Sequence, residues 1–425
     1  MLFGLIGQIA WSVENMYFNL FVYETVAPSL DSITLMVQLS GVVATVVTLF
    51  AGTLSDKTGN RRRFISVGYI IWGVSVALFG FISPELIGGI FGIDGARAIA
   101  LTLGVVVAAD CIMTLFGSAA NDAAFNAWVT DNTRPSFRGS VEGVLAVLPL
   151  LAMLIVAGGF GILVSAVGYS TVFLILGTVI SLSGILGIFI IRDEPTLVKK
   201  GSLKDIFFGF TPSAVKNNAP LYVSFLILLV YGIACQIFMP YLIIYMKTYL
   251  GFSVIEYSAV FAVAIALGAV INIYLGRLSD KKDKTALLYI AVGVMSVGLI
   301  AMYFCRGIGH VATLILFGVA GFVMISGYIF VSALSGSILR DYTPKDDTGK
   351  LQGVRMVFGV LLPMLLGPMI GNAINRARGA VLESPGADAM TTEFIPAPEI
   401  FLAAGIVVLL VYALIPLLHR TVSRR

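Results

Sequence analysis

The strongest constraint in this chain is a succession of apolar runs, each about as long as the ~20 residues needed to cross a bilayer as a helix. Bounded by charge or by Gly and Pro, they fall near 2–26, 33–54, 63–82, 98–129, 139–165 and 169–191, then near 218–247, 254–276, 285–305, 310–339, 351–375 and 398–419. In hydrocarbon every backbone N–H and C=O must be satisfied within the segment, which selects helices. The sequence therefore predicts an all-α membrane protein with twelve transmembrane helices. Charged residues make up 12% of the chain, half the ~25% of an average soluble domain, and this excludes a soluble enzyme. The first run starts without a basic stretch and carries Glu14 and Asn15 at its middle, so it is expected to stay as a helix and not to be a cleaved leader.

The usual parts of catalysis are missing from the sequence. Neither HExxH nor GxxxxGK[ST] occurs. Cys111, Cys235 and Cys305 all lie inside apolar runs without a pairing spacing, and His310 and His419 stand far apart at run ends. We expect no enzyme activity, no metal site and no cofactor beyond a co-transported proton or sodium ion. The partners expected are a small-molecule solute, that ion and the lipid bilayer, with no nucleic acid, and the chain is expected to be a monomer.

Basic residues fix the expected orientation. If both termini are cytoplasmic, five of the 27 Lys and Arg (Arg97, Lys247, Arg306, Arg376 and Arg378) lie outside and 22 lie in or beside cytoplasmic loops. The positive-inside rule favours that arrangement, in the plasma or inner membrane. The net charge of +4 then reports topology.

The two halves repeat. Gly52-Thr-Leu-Ser-Asp56-Lys57 returns as Gly276-Arg-Leu-Ser-Asp280-Lys281, 224 residues on; Asp131-x-Thr133, Gly139 and Gly143-Val144 return as Asp341-x-Thr343, Gly349 and Gly353-Val354, 210 residues on. The difference of 14 fits an insertion near 83–97, where Ser83-Pro84-Glu85 and Asp94-Gly95 supply turn chemistry. The expected organisation is a six-helix bundle over 1–191, a central cytoplasmic loop over 192–217 and a second, pseudo-symmetric six-helix bundle over 218–425. Such duplication suits a carrier with its solute site near the bilayer midplane between the repeats.

Residues 52–62, Gly-Thr-Leu-Ser-Asp-Lys-Thr-Gly-Asn-Arg-Arg, carry the pattern Gly-x3-Asp-Arg/Lys-x-Gly-x-Arg-Arg/Lys. On this motif and the twelve-run plan, the chain resembles the major facilitator superfamily. The second copy departs from it, with Asp283 in place of the second Gly and no Arg pair. Trp11-x-x-Glu14-Asn15-x-Tyr17-x-Asn19 and Ala120-Asn121-Asp122-x-x-Phe125 are similar to the glycoside–pentoside–hexuronide and sucrose-type cation symporters of that superfamily. That likeness implies a membrane carboxylate at Asp122 used in cation coordination. The second helix has Ala44 and Thr48 where many such symporters have acids, which argues against sodium.

A charged group at a helix centre costs ~2.5–3.5 kcal/mol on insertion scales, so membrane-embedded acids are candidates for function. Glu14 lies ~18 Å into the first helix, and Gln8, Ser12, Asn15, Asn19 and Tyr23 form a polar stripe from which it points away. Anchoring the fourth helix at Asp131 makes Asp122 central and Asp110 nearly external, anchoring it at Arg97 reverses the two, and the resemblance to the symporter motif favours Asp122. We therefore take Glu14 and Asp122 as the coupling acids and Asn15, Asn19, Asn126, Gln236 and Asn272 as solute ligands. Pro240 frees the carbonyl of Gln236 beside that site. Trp11, Tyr17, Trp128 and Tyr241 could stack on sugar rings or pack at interfaces.

The cytoplasmic gate is expected at Gly52, Asp56, Lys57, Gly59, Arg61, Arg62, Asp131, Arg134, Arg138 and Glu142, with Asp280, Lys281, Asp341 and Arg355 in the second half. The resulting expectation is a secondary active transporter moving a sugar or glycoside-like solute by proton or cation symport through alternating access. The alternatives are a proton-coupled drug or metabolite exporter of the same fold, and a non-transporting membrane sensor or scaffold.

Overall fold

A computed structural model describes residues 1–133, 138–193, 208–279, 283–344, 348–385 and 390–422. The chain divides into two compact units, Met1–Leu203 with Val381–Phe394, and Lys204–Ala380 with Ile395–Arg425.

Six long helices build the first unit: α1 (2–26), α2 (Leu30–Thr58), α3 (Arg61–Phe79), α4 (95–132), α5 (138–167) and α6 (Tyr169–Ile190). The second holds α7 (219–249), α8 (Val254–Ser279), α9 (Lys284–Phe304), α10 (His310–Tyr342), α11 (348–378) and α12 (399–422). Among the described residues, eleven of these are long and apolar enough to cross a membrane. The twelfth is α1, whose α-helical turns alternate with π-helical segments at Glu14–Phe18 and Val22–Val26. The expected insertion folds as a short helix, Pro84–Phe91, capped by the Ser83 hydroxyl and closed by Gly92 at φ 66°. Between α11 and α12, an antiparallel hairpin of β1 (Val381–Pro385) and β2 (Met390–Phe394) is the exception to an otherwise helical fold.

Glycine sets the distances between helices, as expected where lipid provides no hydrophobic drive for association. A Cβ on Gly73 of α3 would sit 2.3 Å from the Gly177 carbonyl of α6, and one on Gly177 would sit 2.3 Å from the Gly73 carbonyl. In the second unit, Gly298 of α9 and Gly327 of α10 meet the Met324 and Met295 backbones in the same way. Gly177→Ala is expected to destabilise the first unit by ~1–3 kcal/mol through overpacking. Gly104→Ala, where an added Cβ meets nothing within 4 Å, should leave thermal unfolding in detergent unchanged. Equal unfolding temperatures for the two variants would contradict this account.

Candidate functional site

Helices α1 and α4 run antiparallel, and their contacts step along both. Cβ atoms built on Gly4 and Gly7 would clash with the surroundings of Phe125 and Asn121, one on Gly117 would lie 3.0 Å from the Trp11 ring, and Thr114 meets Glu14. The membrane part of α4, Gly95–Val129, has 35 residues, or ~52 Å at 1.5 Å per residue, and overhangs a ~30 Å hydrocarbon core at both ends. Its centre falls near residue 112, level with Glu14 at the centre of α1. The sequence allowed an anchor at either end of α4, and an overhang at both ends falls between the two. Asp110 is central, while Asp122 lies ~15 Å toward the end that carries the α2–α3 loop.

Glu14 is 7% exposed and accepts a hydrogen bond at Oε1 from the Thr114 hydroxyl, 3.1 Å away. Asp110, one turn from Thr114 on the same face of α4, is 1% exposed and lies near Ser40 of α2, whose hydroxyl donates to the Met36 and Val37 carbonyls of its own helix. The charged groups acting on Glu14 are Asp110 and, more weakly, Asp122. Glu14 Oε2 and Asp110 Oδ1 meet no hydrogen-bond partner among the described residues.

Asp122 is half-buried and better supplied. Its Oδ1 accepts from Trp11 Nε1 at 3.2 Å and from Asn121 Nδ2 at 3.0 Å. The Tyr69 hydroxyl of α3 stands 2.9 Å from both Asn121 Oδ1 and the Phe3 carbonyl. Gly7 makes room for this network, since a Cβ there would lie 2.3 Å from Asn121 Oδ1. The Trp11 ring packs against Trp72 with centroids 5.1 Å apart over Gly117. Both expected coupling acids are bound up with π-helical turns, Glu14 at the head of one and Asp122 inside Ser118–Phe125. Such turns are frequent at functional sites.

The expected solute ligands are less concentrated. Asn15 is exposed and Asn19 buried; the amide nitrogens of Asn15, Asn19 and Asn126 donate to the carbonyls of Trp11, Asn15 and Asp122 in their own helices, at 2.7, 3.1 and 3.1 Å. Gln236 is half-buried against Gly367 of α11. Pro240 does break α7, which passes through a 3-10 turn at Met239–Tyr241. Tyr17 and Tyr241 are fully buried, Tyr17 against Phe160 and Tyr241 donating to the Pro368 carbonyl, so both pack the interior and do not present a ring to a sugar. Trp128 donates to the Arg192 carbonyl.

At the expected gate, Arg61 is 4% exposed and pairs with Asp131 at 3.1 Å while also reaching the Ser55 hydroxyl. Gly59 closes α2 at φ 65°, a left-handed turn that favours glycine. Gly52 is half-buried, its carbonyl accepting from the Ser55 hydroxyl. Lys57 is exposed, and the Arg62 N–H at the start of α3 bonds the Asp193 carboxylate, 2.9 Å away. In the second unit, Asp341 pairs with Lys284 at 2.5 Å, repeating the Arg61–Asp131 link between the start of one helix and the end of another. Asp283 caps α9, and the hydroxyl and N–H of Thr285 hold its carboxyl below the usual range. Arg355 is exposed. Arg134, Asp280 and Lys281, and the side chains of Asp56, Arg138, Glu142 and Asn272, lie outside the described residues.

The sequence reading weighed Asp110 against Asp122 and did not choose it, and it missed Thr114, Tyr69 and the Trp11–Asp122 bond. The Trp11 and Ala120-Asn121-Asp122 motifs had pointed to part of that network.

Residues 1–368 match the Major Facilitator Superfamily, and the chain belongs to it: a secondary transporter built from membrane helices. It is 23% identical over 343 residues to a multi-drug resistance efflux pump PmrA homolog of Lactococcus lactis subsp. lactis (strain IL1403), covering 77% of this chain and 82% of that protein. Its fold is similar to that of a point mutant of the nucleoside transporter NupG (TM-score 0.68, 11% identity, 99% of this chain and 98% of that one). It is equally similar to an inward-facing bacterial homolog of the human lysosomal transporter Spinster (TM-score 0.68, 14% identity, 99% and 95%).

The Trp11–Asp122 bond lends itself to measurement. In a double-mutant cycle of Trp11→Phe and Asp122→Ala, read by thermal unfolding, a coupling of ~1–2 kcal/mol is expected for a hydrogen bond to a carboxylate. Additive effects would show that the bond contributes nothing.

Proposed function

We propose that this chain is a proton-coupled transporter working by alternating access, with Glu14 and Asp122 exchanging the proton and a lipophilic organic molecule as its exported solute. The carrying observation is that Glu14, buried at the centre of α1, has among the described residues the acids Asp110 and Asp122, and no basic group, as its charged neighbours. A carboxylate there is charged only at the cost of burying an unpaired charge, so it works as a group that takes up and gives away a proton. The Lactococcus relative, spanning 77% of the chain, supports export. So do the amide nitrogens of Asn15 and Asn19 in the stripe and of Asn126 on α4, which are engaged with their own helices. The pair Arg61–Asp131, on the side expected to be cytoplasmic, would hold the gate closed and break on opening.

A second reading keeps a sugar or glycoside as solute, taken up by symport as in the glycoside-type branch. The exposed Asn15 and Asn126 side chains beside Asp122 favour it, because hydroxyl-rich solutes need neutral hydrogen-bond partners.

Reconstitution into proteoliposomes separates these readings. An imposed pH gradient is expected to drive ethidium transport, and Glu14→Gln and Asp122→Asn are expected to reduce it to the level of empty liposomes. Sucrose accumulation without ethidium movement would favour the second reading. A sodium gradient that works in place of protons would overturn proton coupling, and unchanged activity in both variants would point to a non-transporting sensor or scaffold.

A further inference from the structure

We propose that Asp110 is the partner acid of Glu14, and that the two carboxyl groups hold a single proton between them and load and release it as one unit at the centre of the first bundle. This rests on the proton-coupled reading above and adds to it a residue and a stoichiometry.

Geometry carries the assignment. Glu14 and Asp110 come from different helices, and Thr114, which donates to Glu14, lies one turn from Asp110 on the same face of α4. Each carboxyl keeps one buried oxygen with no hydrogen-bond partner among the described residues. Each is more than nine-tenths buried. Two carboxylates so placed repel each other, and in a low-dielectric interior they do not both ionise. One proton shared by the pair leaves a net charge of one and gives an acid hydroxyl to donate where an acceptor stands without a donor.

Among the described residues no basic group acts on either acid. From α1 the pair is faced by Glu14 alone, from α4 by Asp110, Asp122 and Cys111, and from α2 by the Ser40 hydroxyl; the titratable Tyr69 of α3 lies beside Asp122. Asp122, by contrast, already receives two N–H donors. The repeat points the same way. By the offsets of 224 and 210, Glu14 corresponds to Phe238 and Asp110 to Ala320, so the two acids are present together in one half and absent together in the other.

The test is infrared difference spectroscopy of the full chain in liposomes, following the protonated-carboxyl band against pH, with ethidium transport measured in parallel. We expect the wild type to show one protonated carboxyl from this pair at neutral pH and Glu14→Gln/Asp110→Asn to show none. In each single variant the pH at which the band disappears should move from its wild-type value. Glu14→Gln, Asp110→Asn and the double variant should share the same residual pH-driven ethidium rate, and Asp110→Glu should retain both band and transport. Thermal unfolding of each variant identifies those that fail to fold. A band unmoved by Asp110→Asn, two carboxyls titrating independently, or fully additive losses of transport would overturn the pair. The infrared readout needs no solute, so a wild type that moves no ethidium under a pH gradient strikes the functional reading, whereas an unmoved band strikes the pair.

Discussion

Close approach between helices is the condition on which the rest of the first unit depends. Lipid solvates a leucine as well as another helix does, so association relies on packing and on polar groups finding each other across short distances. Gly7, Gly68 and Gly117 bring α1, α3 and α4 together at points where an added Cβ would lie 2.3–2.7 Å from a neighbour. Only at that spacing do Tyr69, Asn121, Trp11 and Asp122 join into one network, and only there does Thr114 reach Glu14. Glu14 is thereby enclosed by protein, and Asp122 partly so, away from hydrocarbon where a charge would cost most.

The architecture was largely legible in the sequence because apolar length and the chemistry of residues 52–62 are local properties. Gly59 is required by a left-handed turn, and the Arg61–Asp131 pair joins two positions that the sequence had already marked. The level of Asp110 was not legible, because it depends on how far α4 overhangs each face of the bilayer and on its register with α1. No periodicity along a single helix encodes either quantity. The Asn stripe shows a similar limit: its angular position is a property of α1, whereas the turn of its amides to carbonyls one turn back arises only in the folded helix, whose π segments change the local spacing.

The ends of the helices obey a simpler electrostatic logic. In each unit a basic residue at the start of the third helix pairs with an aspartate at the end of the fourth, Arg61 with Asp131 and Lys284 with Asp341. The first pair is nearly enclosed and supported by Ser55, whereas the second is open to solvent, where an ion pair contributes little. Duplication has kept the position of the link while its strength has diverged.

That divergence extends to the interior. Among the described residues the buried charged side chains, Glu14, Arg61 and Asp110, all belong to the first unit, and the positions that repeat Glu14, Asp110 and Asp122 in the second are Phe238, Ala320 and Ser332. Mutation in the second unit exchanges one apolar or hydroxylic shape for another, with no ionic penalty attached. Among the described residues, then, buried charge constrains the first unit, while its twin can change shape without meeting that cost.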